Sequence, residues 1–293
     1  MMRTAAFSMQ NSLNRTFNRM KYNHVVRKVM SPFMNAKYRF GDKTYKTSVD
    51  KRAIQDLRGA YAGKRCFIVG NGPSLTIQDL NSLKGEYAFA SNRIYTLFDE
   101  TSWRPTFYAA SDMDLIPALV PHLGTFSPII RFFDKAAAGF VKNLDSVILL
   151  NLRLDYFAAR KHTTDNISFS SDPSKKVGVG YTVTYVCLQL ALYMGFSEIY
   201  LIGMDHTFSY VVHSDGSISV NRSVRDHCFG DGEGIVVNPQ YKEGVEYAYA
   251  LARNEAEKRG VKICNATRGG SLEVFERISL DEVLNSDAAS AAM

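Results

Sequence analysis

Cysteine is scarce in this sequence. Cys66, Cys187, Cys228 and Cys264 are the whole set, and their spacings fit neither a CxxC pair nor a zinc pattern. With no secretory leader in view, a reduced, cytoplasmic protein is expected. No run of about 18 apolar residues occurs, so no membrane-spanning helix is expected. Two phosphate-loop signatures are also missing: there is no GxGxxG, and no GK[ST] ending that would make a Walker A loop. No internal repeat or low-complexity linker interrupts the chain.

What is present is ordinary for a globular body. The hydrophobic fraction of 46% and charged fraction of 22% suit a chain long enough to bury a large core. The charge is unevenly placed. Residues 1–52 carry twelve Lys/Arg against Asp42 and Asp50, a balance of +10, whereas the rest of the chain is at −4. The stretch "FSMQNSLNRTFNRMKYNHVVRKVMSPF" mixes Phe7, Leu13, Phe17 and Met20 with Arg15, Arg19, Lys21, Arg27 and Lys28. Residues 1–52 therefore read as a basic helical arm, for an anionic membrane surface or for packing on the body or a second copy. Nucleic acid is not expected, because no recognition module accompanies the basic stretch.

Residues 53–285 read as one domain, followed by a disordered tail at 286–293. "AIQDLRGAYAG" reads as a short helix ending at Gly63. "RCFIVG", "EYAFAS", "PTFYAAS", "PIIRFF", "SVILLN", "SEIYLIGMD" and "VKICNAT" are short apolar runs bounded by turn residues. Helical segments alternate with them: "TIQDLNSLKG", capped by Thr76; "DLIPALVPHL", expected to be broken by Pro117 and Pro121; "YTVTYVCLQLALYMG", apolar nearly all round; and "PQYKEGVEYAYALARNEAEKRG". The alternation indicates a single Rossmann-like, doubly wound, mostly parallel sheet of six or seven strands in the α/β class. Residues 206–237 are polar and glycine-rich, too long for a connector, and read as an irregular lid.

In such sheets ligands bind beyond the carboxyl ends of the strands. Four strand ends carry polar or glycine residues there: Gly70–Ser74, Ser91–Asn92, Ser111–Asp112 and Gly203–Asp205. The turn Gly70-Asn71-Gly72-Pro73-Ser74 combines bare backbone with a helix entrance, as a phosphate site would, or as a plain strand-to-helix turn would. Gly178-Val179-Gly180-Tyr181-Thr182 repeats the pattern ahead of the apolar helix; close helix–sheet packing is its other explanation. Asp112 and Asp114 have DxD spacing, which suits a divalent metal or a helix cap. His227, beside Asp226 in "RDHCFGDG", suits proton transfer, and His206, next to Asp205, is its rival.

The segments "FIVGNGPSL", "LKGEYAFASNRIY", "WRPTFYAASD", "GVGYTVTYVCLQLALYMGFSEIYLIGMDHTF" and "NATRGGSLEVFERI" resemble the MptE-like family, named for a 6-hydroxymethyl-dihydropterin diphosphokinase. Other members of that family look like polysaccharide or flagellin glycosylation proteins. More distantly, the chain is similar to the Campylobacter-type sialyltransferases. The resemblance spans about residues 55–280. It implies a glycosyltransferase using a nucleotide-activated sugar, CMP-linked and sialic-acid-like, with a glycan or lipid-linked acceptor and no required cofactor. It implies nucleotide contacts from Gly70, Asn71, Gly72, Pro73, Ser74, Asn92, Gly178, Val179, Gly180, Thr182 and Asp205, and a general base in His227. Where the sialyltransferases place a tyrosine after that aspartate, Thr207 stands here, and Tyr210 is the substitute for stabilising the leaving phosphate. The diphosphokinase alternative uses ATP with Mg²⁺ on Asp112 and Asp114. A non-catalytic nucleotide-binding accessory protein is the third reading. A homo-oligomer and a peripheral position on the inner membrane face complete the expectations.

Overall fold

The computed structural model describes residues 50–113, 115–124, 126, 130–153, 167–212, 218–221, 227–228, 236–237 and 239–290. The chain divides into two compact units, Met1–Lys46 and Thr47–Met293, and the described residues all belong to the second. The basic arm lies outside them up to residue 49.

The elements follow in chain order. Helix α1 (Asp50–Asp56) precedes strand β1 (Arg65–Val69), helix α2 (Ile77–Ser82), β2 (Ala88–Ser91), a 3-10 helix (Asn92–Leu97) and β3 (Phe107–Ala110). Then come α3 (Ile116–Leu123), β4 (Ile130–Asp134), α4 (Ala138–Val141), β5 (Val147–Leu150), β6 (Leu152–Arg153) and β7 (Val177–Gly178). The remainder is α5 (Val183–Met194), β8 (Glu198–Ile202), β9 (Tyr210–Val212), β10 (Ile218–Val220), β11 (Val236–Val237), α6 (Pro239–Glu257), β12 (Lys262–Asn265), β13 (Glu276–Arg277) and α7 (Leu280–Ser290).

Eight strands form one sheet in the order β13-β12-β8-β1-β2-β3-β4-β5, and every pairing in it is parallel. Alternation along each strand feeds two cores. Phe67, Val69, Ala88, Ala90, Tyr108 and Phe133 face one layer, with Leu80 of α2, Leu119 of α3, Val141 of α4 and Val283 of α7. On the other face α5 crosses β1, β2 and β3. There Phe107 meets Phe89 at 4.5 Å and Phe196 at 6.3 Å between ring centroids. Strands covered on both faces must be apolar throughout, which is why they read as continuous hydrophobic runs. Truncating a fully buried ring such as Phe107 removes packing worth about 3–5 kcal/mol. Helix α5 is buried along its whole length. Thr182 caps its start by accepting from the Thr184 N–H, and Gly195 ends it in the left-handed region at φ 88°.

Several local expectations change. The first helix ends at Asp56, not Gly63. Residues 116–123 form one helix despite both prolines. Pro117 sits in its first turn, where no N–H is needed, and Pro121 falls near the end of a helix too short to lose more than one hydrogen bond. The sheet has eight strands rather than six or seven, the extra one being the two-residue edge β13. The lid segment contains structure: β9, β10 and β11 form a small sheet of their own in the order β10-β9-β11. At the other end, α7 continues to Ser290, helical where the sequence reading places a tail.

The order of the main sheet positions the site. From β1 to β5 the chain steps outward in one direction, and after α5 it returns to the opposite side of β1 with β8 and then β12. The connections that leave β1 and β8 therefore run to opposite sides of the sheet, and the crevice at this switch point is the expected ligand position in such folds.

Candidate functional site

A cleft lies at that divergence. Its floor comes from the ends of β1 (Gly70, Asn71, Gly72), β2 (Ser91, Asn92) and β8 (Gly203, Met204, Asp205). The entrance of α5 contributes Thr182 and Thr184. One wall is aromatic and apolar, from Phe208 together with Tyr241, Val245 and Tyr249 of α6. His206 and His227 both reach it.

The glycines of the first turn answer to the neighbouring chain. A Cβ on Gly72 would lie 1.9 Å from Asp205 Oδ2 and 2.6 Å from the Gly203 carbonyl oxygen. One on Gly70 would lie 2.3 Å from that same carbonyl. The Gly70 N–H donates to Ile202 O and the Gly72 N–H to Gly203 O, each at 2.8 Å. Bare backbone is thus needed so that the turns after β1 and β8 can close on each other. Asp205 fastens the pair: Ser74 Oγ donates to its Oδ2 at 2.8 Å and the Ser74 N–H to its Oδ1 at 3.2 Å. Burial raises the Asp205 carboxyl above its ordinary value, and the Ser74 hydrogen bonds partly offset this.

What this turn presents to the cleft is Asn71. Its Nδ2 donates to Ser91 O at 3.1 Å, which orients the amide, while its Oδ1 is buried with no hydrogen-bond partner among the described residues. Asn92 is the counterpart on β2. It adopts a left-handed backbone at φ 50°, its carbonyl accepts from the Tyr108 hydroxyl at 2.7 Å, and its Oδ1 is likewise buried and unpaired among the described residues. Buried amide oxygens are nearly always satisfied. Here two of them, both on residues that line the cleft, have no partner among the described residues.

The second glycine turn is placed differently. Of Gly178, Val179, Gly180 and Thr182, only Thr182 lines the cleft. Gln189, fully buried in α5, clamps Gly178: its Oε1 accepts from the Gly178 and Ser170 N–H groups at 3.0 Å, and its Nε2 donates to Gly178 O at 2.8 Å. Gly180 has φ 53°, and a Cβ there would lie 2.4 Å from the Tyr185 ring and 2.7 Å from Ala248 Cβ. Val179 is buried. Gly180 thus lets α5 and α6 approach, whereas Gly178 is held against α5 by Gln189.

His227 is half-buried and lines the cleft. Its neighbour ties the lid down: the Cys228 N–H donates to Asn71 O at 2.8 Å, and Cys228 packs on the core layer below. Burial pushes the Cys228 thiol up to about 12, with Asp205 adding to the rise, so it is no thiolate nucleophile at neutral pH. Tyr210 begins β9, and its hydroxyl lies outside the described residues. Asp114 lies outside them too. Asp112 is exposed, away from the cleft lining, and its carbonyl accepts the N–H groups of Leu115 and Ile116. Among the described residues no group of three or more His, Cys, Asp or Glu is placed to hold a metal ion. No helix among them is long and apolar enough to cross a membrane. Pro73 and Ser74 stand behind the cleft lining, Ser74 through its bonds to Asp205.

Sequence reading missed the aromatic wall. Tyr241, Val245 and Tyr249 recur at i, i+4 and i+8, a stripe indistinguishable from an ordinary core face. Glu246, next to Val245, pairs with His206, a contact that no spacing announces.

Fold and site together define an α/β protein built on one eight-stranded parallel sheet, with a cleft at its switch point. The chain belongs to the MptE-like family: the model for 6-hydroxymethylpterin diphosphokinase MptE-like proteins matches residues 42–211. No curated protein matches it. Among solved structures, the MAf glycosyltransferase from Magnetospirillum magneticum AMB-1 has a similar fold, with 15% identity and a TM-score of 0.50 over 83% of this chain. The match covers 40% of that protein, so this chain spans well under half of its length.

Proposed function

We propose that the protein is a glycosyltransferase acting on a nucleotide-activated sugar bound at the crevice between β1 and β8. The observation that carries the reading is the pair of buried, unpaired amide oxygens, Asn71 Oδ1 and Asn92 Oδ1, beside the start of α5 and the imidazole of His227. The amide oxygens suit donors such as ribose hydroxyls or a base amine. The entrance of α5 at Thr182 and Val183, the positive end of that helix, suits a phosphate. The aromatic wall suits the apolar face of a sugar ring. A CMP-linked, sialic-acid-like donor and a glycan or lipid-linked acceptor follow from the sequence resemblance, as does a place on the inner membrane face through the basic arm.

In the reaction the acceptor oxygen bonds to the anomeric carbon as the bond from that carbon to the phosphate oxygen breaks. The electron pair leaves with the phosphate. His227 takes the acceptor proton, a role an imidazole can fill. Preorganised donors near the leaving oxygen stabilise the charge that develops there. The metal-dependent second reading, pyrophosphoryl transfer from ATP, is supported by the description of the family. Thermal melts with CMP, CDP, UDP and ATP, each with and without Mg²⁺, separate the two. Stabilisation by CMP without metal supports the transferase, and stabilisation by Mg-ATP alone replaces it with the kinase. His227→Ala abolishes turnover while retaining nucleotide binding; retained turnover removes His227 from the mechanism. Binding of nucleotide with no turnover of any donor identifies an accessory protein.

A further inference from the structure

The proposed chemistry leaves one imidazole of the cleft without a task, and one task with no described side chain to perform it. His206 directly follows Asp205, at the point where the polar floor meets the aromatic wall. Its side chain is 6% exposed, and its Nε2 lies 3.1 Å from Glu246 Oε1. Its ring packs edge-on against Phe208 at 5.2 Å. Its backbone is held at φ 53°, with its carbonyl accepting from Ser271 Oγ at 2.6 Å. A buried histidine in a left-handed conformation, fastened on three sides, is oriented with care. With Nε2 turned to Glu246, Nδ1 is the nitrogen left for a ligand. That task is stabilisation of the departing phosphate, which the sequence reading gives to Tyr210 and for which Thr207 offers no donor of comparable acidity.

We infer that His206 binds the phosphate of the nucleotide as an imidazolium, Nδ1–H toward the phosphate and Nε2–H toward Glu246. The inference rests on the nucleotide-sugar reading above. Glu246 is the positioning residue. It holds the ring and balances its charge, so that the cation is stabilised where it meets the oxygen released by cleavage. The acceptor proton still goes to His227, and His206 keeps its own.

This arrangement predicts a proton linkage. In the protein alone, burial pulls His206 below its ordinary value; the Glu246 carboxylate opposes that and Lys242 adds to it. The other titratable groups of the cleft are Asp205, His227, Cys228, Tyr241 and Tyr249. At pH 7.5 His206 is therefore neutral before binding. A phosphate beside Nδ1 favours the imidazolium, so binding takes up a proton and weakens as pH rises.

The test is titration calorimetry of the full chain with CMP, UDP and ATP at pH 7.5, in two buffers of different ionisation enthalpy. The wild type is expected to take up roughly half to one proton per nucleotide bound. His206→Gln and Glu246→Gln are expected to lose that uptake and to bind about tenfold more weakly at pH 7.5. Glu246 is 40% exposed, so its variant keeps the test alive if His206→Gln fails to fold. The nucleotide's own titration is common to all three proteins and cancels in the comparison. Uptake confined to UDP or ATP supports the role of His206 and changes only the donor. Binding without uptake, or uptake that survives in both variants, overturns the inference and leaves the nucleotide reading standing. If no nucleotide binds, both fall together.

Discussion

The turns Gly70–Ser74 and Gly178–Thr182 look alike in sequence, and each leads into a helix on the same sheet. The first closes on the turn after β8 and turns Asn71 toward the cleft. The second is bound up by Gln189, Tyr185 and Ala248, and reaches the cleft only through Thr182. In both the glycines admit another part of the chain, and only Gly70 and Gly72 also line the cleft. The difference between the turns is a single polar side chain placed at the switch point. Glycine-rich turns before helices thus report close approach, and what approaches is settled by the neighbouring strand.

The sharpest way to break this comparison is Gly72→Ala. Its methyl would meet both Asp205 and the Gly203 carbonyl, and a cost of about 4 kcal/mol or more is expected in urea unfolding. A cost below about 1 kcal/mol would show that the two turns are not locked together. Next is Gln189→Ala, which strands the buried N–H groups of Ser170 and Gly178 and should remove about 3 kcal/mol. Nucleotide affinity should stay unchanged, because the second turn is structural; a large affinity loss at unchanged stability would return Gly178–Gly180 to the binding site.

Asn92→Gly separates function from stability in the opposite sense. Glycine accepts φ 50°, so stability should stay within about 1 kcal/mol. Loss of the unpaired amide oxygen should weaken nucleotide binding by about tenfold. Binding that is unaffected would mean Asn92 faces no ligand. The smallest effect concerns pH. Burial raises the Asp205 carboxyl above 3.8, so the folded protein holds that proton to higher pH than the unfolded chain does. The cost of its ionisation is absent below the unfolded value and grows as pH rises through the folded one. Asp205→Asn should flatten that part of the stability profile, whereas substitutions in the second turn should not. A profile identical to the wild type would show that Asp205 is not strained by burial.

Much of the fold was legible because parallel strands covered on both faces leave unbroken apolar runs, and caps such as Thr76 punctuate the helices between them. Asn71 and Asn92 were legible as strand-end polar residues. The aromatic wall was not, because Tyr241, Val245 and Tyr249 share a spacing with any packed helix face. The lid sheet was not, because three short strands in a polar segment carry too few apolar residues to stand out.

The sequence by itself determined the class of fold, the helix boundaries set by capping residues, and the edge of the sheet at which chemistry can occur. Those depend on contacts within a few residues and on burial patterns of short period. Tertiary structure alone decided that β8 returns beside β1, that the two glycine turns part company, and that Glu246 meets His206 across a gap of 40 residues. Such pairings rest on which distant surfaces close on one another, and no local preference encodes that choice.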